Sequence, residues 1–202
     1  MGYTAVVDYD VGNLMSVNNA MNYLGFETKV TADPVELERA EAIILPGVGA
    51  FPDAAAKLLR YGMMQELRIQ AQKKPILGIC LGMQLLFDQG EEIRETQGLG
   101  LVPGKVKWIE TSLKLPHIGW NSLTFPNASP LFAGLDEGSY VYFVHSFCGN
   151  AADLKYVIAS TDYGISVTAA VQNGTVFGTQ FHPEKSGEVG MEILRNFGGL
   201  TR

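Results

Sequence analysis

The sequence predicts an α/β fold: a doubly wound, mostly parallel sheet flanked by helices, with an antiparallel extension. Three observations carry this expectation. In the first half, fully apolar runs alternate with stretches of helical spacing, the pattern of βαβ units. In the second half, strand-like runs follow one another, and Asn173-Gly174 between two of them marks a two-residue hairpin. A chain of 202 residues, 47% of them hydrophobic, buries one sizeable core, so a single domain spanning 1–202 is expected.

Taken in order, Thr4-Ala5-Val6-Val7 reads as a buried strand, and Leu14 to Leu24 as an amphipathic helix behind the cap candidate Asn13. Thr28-Lys29-Val30 reads as a short strand, and Pro34 opens a helix that runs to Arg39. Ala42-Ile43-Ile44-Leu45 is a fully apolar strand ended by Pro46-Gly47-Val48-Gly49. Helical spacing returns from Pro52 to about Gln72, with a break at Gly62. Pro75-Ile76-Leu77 then leads into Gly78-Ile79-Cys80-Leu81-Gly82 and a further helical stretch, Met83 to Phe87. Strands are expected at Val106–Ile109, Tyr140–Val144, Tyr156–Ala159, Val167–Val171 and Thr175–Thr179, and a last helix from Gly187 to Phe197.

Composition excludes several classes of function. A net charge of -6 argues against a general nucleic-acid surface, which needs clustered Lys and Arg. No apolar run approaches the roughly 20 residues that span a bilayer, so no membrane partner is expected. The N-terminal MGYTAVVDYD lacks a basic signal-peptide start. Cys80 and Cys148 lie too far apart for a disulfide framework or a metal cluster, so a cytoplasmic protein with neither metal nor cofactor is expected.

The chemistry centres on Cys80. Strand, then Gly-x-Cys-x-Gly, then helix is the context in which a strained turn lifts a nucleophile above a sheet, and a helix N-terminus favours its thiolate. The plain alternative is a small buried cysteine between turn glycines. His182-Pro183-Glu184 follows the last apolar strand. There a histidine can exchange a proton with Cys80, and a carboxylate two residues on can orient the imidazole. Alone, this tripeptide also fits a capped turn. Pro46-Gly47-Val48-Gly49 ends an apolar strand on the rim where ligands bind in such sheets. Its Val48-Gly49 backbone and the N–H of Leu81 are the candidate oxyanion donors, although a ligand-free turn has the same composition. No Gly-Lys-Ser/Thr follows, which argues against a phosphate loop.

Together, Pro46-Gly47-Val48-Gly49, Gly78-Ile79-Cys80-Leu81-Gly82-Met83-Gln84 and His182-Pro183-Glu184 resemble the class I (triad) glutamine amidotransferases, over the whole chain. Asp8-Tyr9-Asp10-Val11-Gly12-Asn13-Leu14, Pro116-His117-Ile118-Gly119-Trp120-Asn121 and Lys185-Ser186 are similar to the glutaminase branch serving imidazole glycerol phosphate synthase in histidine biosynthesis. The resemblance implies a flavodoxin-like sheet, L-glutamine as substrate, and ammonia delivery to a (β/α)8-barrel cyclase subunit in a heterodimer. It implies Cys80 as nucleophile, His182 as base and acid, and Glu184 as orienter. Gly47, Gln84, Glu92, Ser146 and Phe147 would bind glutamine, with Phe147 standing where tyrosine is frequent. Asn13, His117, Trp120, Tyr142 and Lys185 would face the partner, as would the loop holding Asp10, where glycine is common.

Each of these residues also has an ordinary reading. His117 reads as a loop histidine, Trp120 as core, Lys185 as a solvated charge, and Cys148 as a small buried hydrophobe. His145 is a second candidate base, but no carboxylate neighbours it, and a packed histidine is the simpler reading. Three other functions compete: a glutaminase serving pyridoxal phosphate or aminobenzoate synthesis, a non-catalytic regulator, and a stand-alone cysteine hydrolase. Lys185-Ser186 and the His117–Asn121 segment argue against the first. The intact triad argues against the second, and independence from any partner would mark the third.

Overall fold

The computed structural model describes residues 2–201. The first half alternates as the sequence predicts: β1 (Thr4–Val7), α1 (Leu14–Tyr23), β2 (Thr28–Thr31), α2 (Pro34–Arg39), β3 (Ala42–Gly47), α3 (Phe51–Arg60), α4 (Met63–Gln70), β4 (Ile76–Cys80) and α5 (Leu81–Leu85). Then follow β5 (Phe87–Gly90), β6 (Thr96–Gln97), β7 (Val102–Trp108), β8 (His117–Ser122), β9 (Tyr140–His145), β10 (Phe147–Ala151), β11 (Val157–Asp162), β12 (Ser166–Asn173), β13 (Val176–Thr179) and α6 (Gly187–Gly199).

Seven strands form the central sheet in the order β11-β12-β13-β4-β3-β1-β2. Pairing is parallel from β13 through β4, β3 and β1 to β2, and antiparallel across β11, β12 and β13. Alternation along β1 shows why helices lie on both faces. Ala5 and Val7 pack with Leu37, Ala54, Leu58 and Leu67 of α2–α4, whereas Val6 packs with Val17 of α1 and Ile193 and Phe197 of α6. A four-stranded sheet, β10-β7-β5-β6, and the β8–β9 hairpin stand beside this layer and supply the second wall of the site.

Several expectations need correcting. The stretch after Cys80 is not one helix to Phe87: α5 ends at Leu85, and Phe87–Gly90 is a strand pairing with β6 and β7. The break expected at Gly62 is present: the residue has φ +70 and sits at the N-cap of α4, between α3 and α4. The hairpin turn lies one residue later than expected, with Asn173 still paired to Val176. His117–Ser122 is a strand rather than a loop. Asn13 occupies the N-cap position of α1 but makes no side-chain cap.

Candidate active site

Cys80 ends β4 with φ +55 and ψ -112, in the left-handed half of backbone space that non-glycine residues rarely adopt. This kink lifts the thiol off the strand at the first residue before α5. Gly82 makes it possible, because a Cβ there would lie 1.7 Å from the Leu45 carbonyl oxygen of β3. The thiol is nearly enclosed, at 7% exposure.

His182 lies beyond β13, followed by a 3₁₀ turn, Pro183–Lys185. Its Nδ1 is 2.8 Å from Oε1 of Glu184, and both side chains are closed to solvent. Nε2 is buried with no nitrogen or oxygen partner. Burial alone pushes His182 down, but hydrogen bonding and charge from Cys80, then from Glu184, outweigh it and raise the imidazole to about 9. The charged imidazole is therefore favoured beside the sulfur. Ser186 fastens the turn, its Oγ donating to the His182 carbonyl at 2.6 Å and accepting the Tyr142 N–H at 3.0 Å.

Cys80 and His182 open into a cavity of about 500 Å³, within the usual range for a small-molecule site. Val48, Gly49, Leu81, Gln84, Glu92, Ser146 and Phe147 line it. Gly49 has φ +105, a conformation glycine reaches without strain, so the Val48-Gly49 peptide sits at the cavity edge without penalty. Gly47 pairs with Cys80 across β3 and β4 and is buried. A thiol, an imidazole held charged and a carboxylate bonded to that imidazole, all beside one cavity, have the make-up that acyl transfer needs.

The model of the family described as glutamine amidotransferase class-I matches residues 5–199. This chain belongs to the class I glutamine amidotransferases. It is 48% identical over 198 residues to the imidazole glycerol phosphate synthase subunit HisH of Caldanaerobacter subterraneus subsp. tengcongensis, covering 98% of both chains. It is 46% identical over 199 residues to the HisH subunit of Moorella thermoacetica, covering 98% of this chain and 95% of the relative. In fold it is similar to a crystal structure of a glutamine amidotransferase (TM-score 0.79, 22% identity, 99% of each chain). It is also similar to PurLQS from Thermotoga maritima (TM-score 0.76, 23% identity, 100% of this chain and 99% of that one).

In this amidotransferase three side chains make hydrogen bonds the sequence did not indicate. Asn13, expected to face a partner, donates from Nδ2 to Oε1 of Glu184, so the loop after β1 holds the carboxylate bonded to His182. Gln84 directs Nε2 away from any ligand, to the Phe147 carbonyl at 3.0 Å and to Oε1 of Gln180 at 3.1 Å. The Phe147 carbonyl also faces Nδ1 of His145 at 2.9 Å, so Phe147 has no carbonyl lone pair to offer a substrate. Glu92 accepts the Phe51 N–H at the start of α3.

Trp108, Pro116 and Val144 also line the cavity. Trp108 meets Phe147 edge-on at 5.2 Å, through the β7–β10 pairing. Sequence reasoning missed it, because a tryptophan near the end of a strand carries no mark of which cavity that end borders.

The remaining residues expected at a partner surface divide. Trp120 and Lys185 are exposed, Tyr142 is half-buried, and Trp120 and Tyr142 meet edge-on at 6.2 Å. Ile118, at 58% exposure, extends the same apolar hairpin. His117 does not reach that surface: it is 2% exposed, stacked on Tyr163 at 3.9 Å, with its Nδ1 3.2 Å from Nε2 of His145. Burial lowers both histidines, His145 to about 4, so His145 is neutral at neutral pH and is not a second base. Cys148 is buried and its thiol pushed up to about 11, which keeps it unreactive.

Proposed function

We propose that this chain is the glutaminase subunit of an imidazole glycerol phosphate synthase. It hydrolyses L-glutamine and hands ammonia to a (β/α)8-barrel cyclase subunit for histidine biosynthesis. It acts as one domain in the cytoplasm; among the described residues no helix is long and apolar enough to cross a membrane. The observation that carries the reading is the buried Cys80–His182–Glu184 constellation opening on a cavity with a carboxylate on its wall.

The chemistry follows from the charges. The Cys80 thiolate attacks the side-chain amide carbon of glutamine, and the N–H of Leu81 and the Val48-Gly49 backbone receive the developing oxyanion. Charged His182 gives its proton to the departing nitrogen, releasing ammonia and leaving a glutamyl thioester on Cys80. Neutral His182, oriented through Nδ1 by Glu184, then takes a proton from water, whose hydroxide attacks the thioester. Glutamate leaves and the thiolate returns. Glu92 pairs with the α-ammonium of glutamine, and Gln84 accepts from it through its free amide oxygen.

Ammonia leaves toward the exposed hairpin of Trp120 and Ile118. An exposed tryptophan on a strand beside a half-buried tyrosine and a lysine has the make-up of an interface anchor. The test is glutamine hydrolysis by the chain alone, with the cyclase, and with the cyclase plus its nucleotide ligand. Activation in the last condition supports the reading. Full activity without a partner favours a stand-alone hydrolase.

A further inference from the structure

Gln180 lies two residues before His182 in the loop after β13 and is fully buried. Its Nε2 donates to the Cys80 sulfur at 3.8 Å, and its Oε1 accepts from Gln84. We propose that Gln180 positions and stabilises the reacting sulfur, its side-chain amide donating to the Cys80 thiolate in an orientation imposed on it through Gln84. The proposal rests on Cys80 being the nucleophile of the glutaminase reaction described above.

The direction of every bond follows from one atom. The Phe147 carbonyl oxygen can only accept, and two side chains converge on it: Nε2 of Gln84 and Nδ1 of His145. Gln84 must therefore present its NH₂ end there, and its second N–H goes to Gln180. Gln180 then has its oxygen toward Gln84 and its NH₂ toward the sulfur. The amide cannot be flipped without setting two donors against each other. On the other side, His145 must carry its proton on Nδ1, so its Nε2 accepts from Nδ1 of His117. Nε2 of His117 in turn accepts from Nδ2 of Asn121, 3.4 Å away.

A neutral thiol is a poor acceptor and a thiolate a good one, so an N–H held in this place favours the charged sulfur over the neutral one. It does so without adding a charge that would have to be neutralised when the thioester forms. The titratable groups described near this sulfur are His182 and, from the loop after β1, Tyr9, whose hydroxyl is committed to the Pro46 carbonyl at 2.8 Å. Tyr9 is buried and held well above its ordinary value, first by desolvation and then by Cys80, so it stays neutral. Among the titratable groups described, His182 is thus the one that favours the thiolate, alongside the N-terminus of α5. Gln84 lines the cavity, so the same amide pair links the substrate wall to the nucleophile.

The test is the pH dependence of Cys80 alkylation by iodoacetamide in the full chain, read by peptide mass so that Cys148 is counted apart. Gln180→Met keeps the length and removes the donor. Gln180→Asn keeps the amide but withdraws it by one methylene. In both, alkylation at neutral pH is expected to fall about tenfold and the midpoint of the rate profile to move up by about one pH unit, with the limiting rate at high pH within about twofold of the parent. Either variant alone decides the matter if the other fails to fold. An unmoved midpoint, or a loss equal at every pH, overturns the proposal and leaves Gln180 a packing residue. Glutamine hydrolysis by the parent complex is measured in parallel. Its absence would remove the glutaminase reading, whereas the alkylation profile would still report on Gln180.

Discussion

Oε2 of Glu92 accepts the Phe51 N–H at 2.7 Å, so a carboxylate on the cavity wall also caps the start of α3. Ala50, at the N-cap position of that helix, has no side chain able to do so. Under the proposed function the one group has a second role, at the α-ammonium of glutamine, and two substitutions separate the roles. Glu92→Gln keeps a hydrogen-bond acceptor and loses the charge. It is expected to raise the KM for glutamine by about 10- to 100-fold with a smaller change in kcat. Glu92→Ala is expected to add a stability loss of about 1 kcal/mol, read from urea midpoints. Equal KM values for parent and Glu92→Gln would remove Glu92 from the ammonium site.

The His182–Glu184 pair predicts a pH dependence with a definite sign. His182 is raised from its ordinary 6.5 to about 9, so the stability its charge contributes is complete below 6.5 and is lost as pH rises through about 9. Glu184→Gln removes the carboxylate's share of that stabilisation while keeping an acceptor for Nδ1. Its destabilisation, measured by urea unfolding, is expected to be about 1–3 kcal/mol near neutral pH and to shrink toward pH 10. A penalty that is flat or grows with pH would contradict the assignment of charge.

At Gly82 the prediction is steric. A methyl group 1.7 Å from the Leu45 carbonyl cannot be accommodated by rotating a side chain, because both sides of the contact are backbone. Gly82→Ala is expected to destabilise by about 4 kcal/mol or more, or to yield no soluble chain. A stable Gly82→Ala chain with an unmoved urea midpoint would show that the elbow has more room than this geometry allows.

The parallel half of the fold was legible because buried strands such as Ile43-Ile44-Leu45 are unbroken apolar runs between helical periods. The elbow at Cys80 and the turn at His182 were legible because strained turns demand glycine and proline at fixed offsets. The second wall was not. Phe87 continues the apolar spacing of α5, and only the pairing of Phe87–Gly90 with Thr96–Gln97 and β7 makes a strand of it. Asn13 reads as a helix cap in sequence because its partner, Glu184, lies 171 residues away. Gln180 carries no local signal either, since its meaning comes from a sulfur 100 residues distant. Long-range polar contacts of this kind have no period and no composition to betray them.

On the surface, Trp120 is 55% exposed on β8 with Tyr142 beside it on β9. Trp120→Ala is expected to leave the unfolding free energy of the free chain within about 0.5 kcal/mol of the parent. It is expected to weaken binding to the cyclase barrel by at least about tenfold, as loss of an interface anchor does. Calorimetric titration of the two subunits measures this directly. Unchanged affinity would move the docking surface away from the hairpin.

The proposed function stands or falls on cleavage of glutamine at the Cys80 sulfur. Glutamate release by the purified Cys80→Ala chain, assembled with the cyclase and its nucleotide ligand, tests it most directly. Hydrolysis is expected to disappear while the two subunits still associate, and the parent chain quenched during turnover is expected to carry a glutamyl group on the Cys80 peptide. Glutamine hydrolysis retained by the Cys80→Ala complex would contradict it.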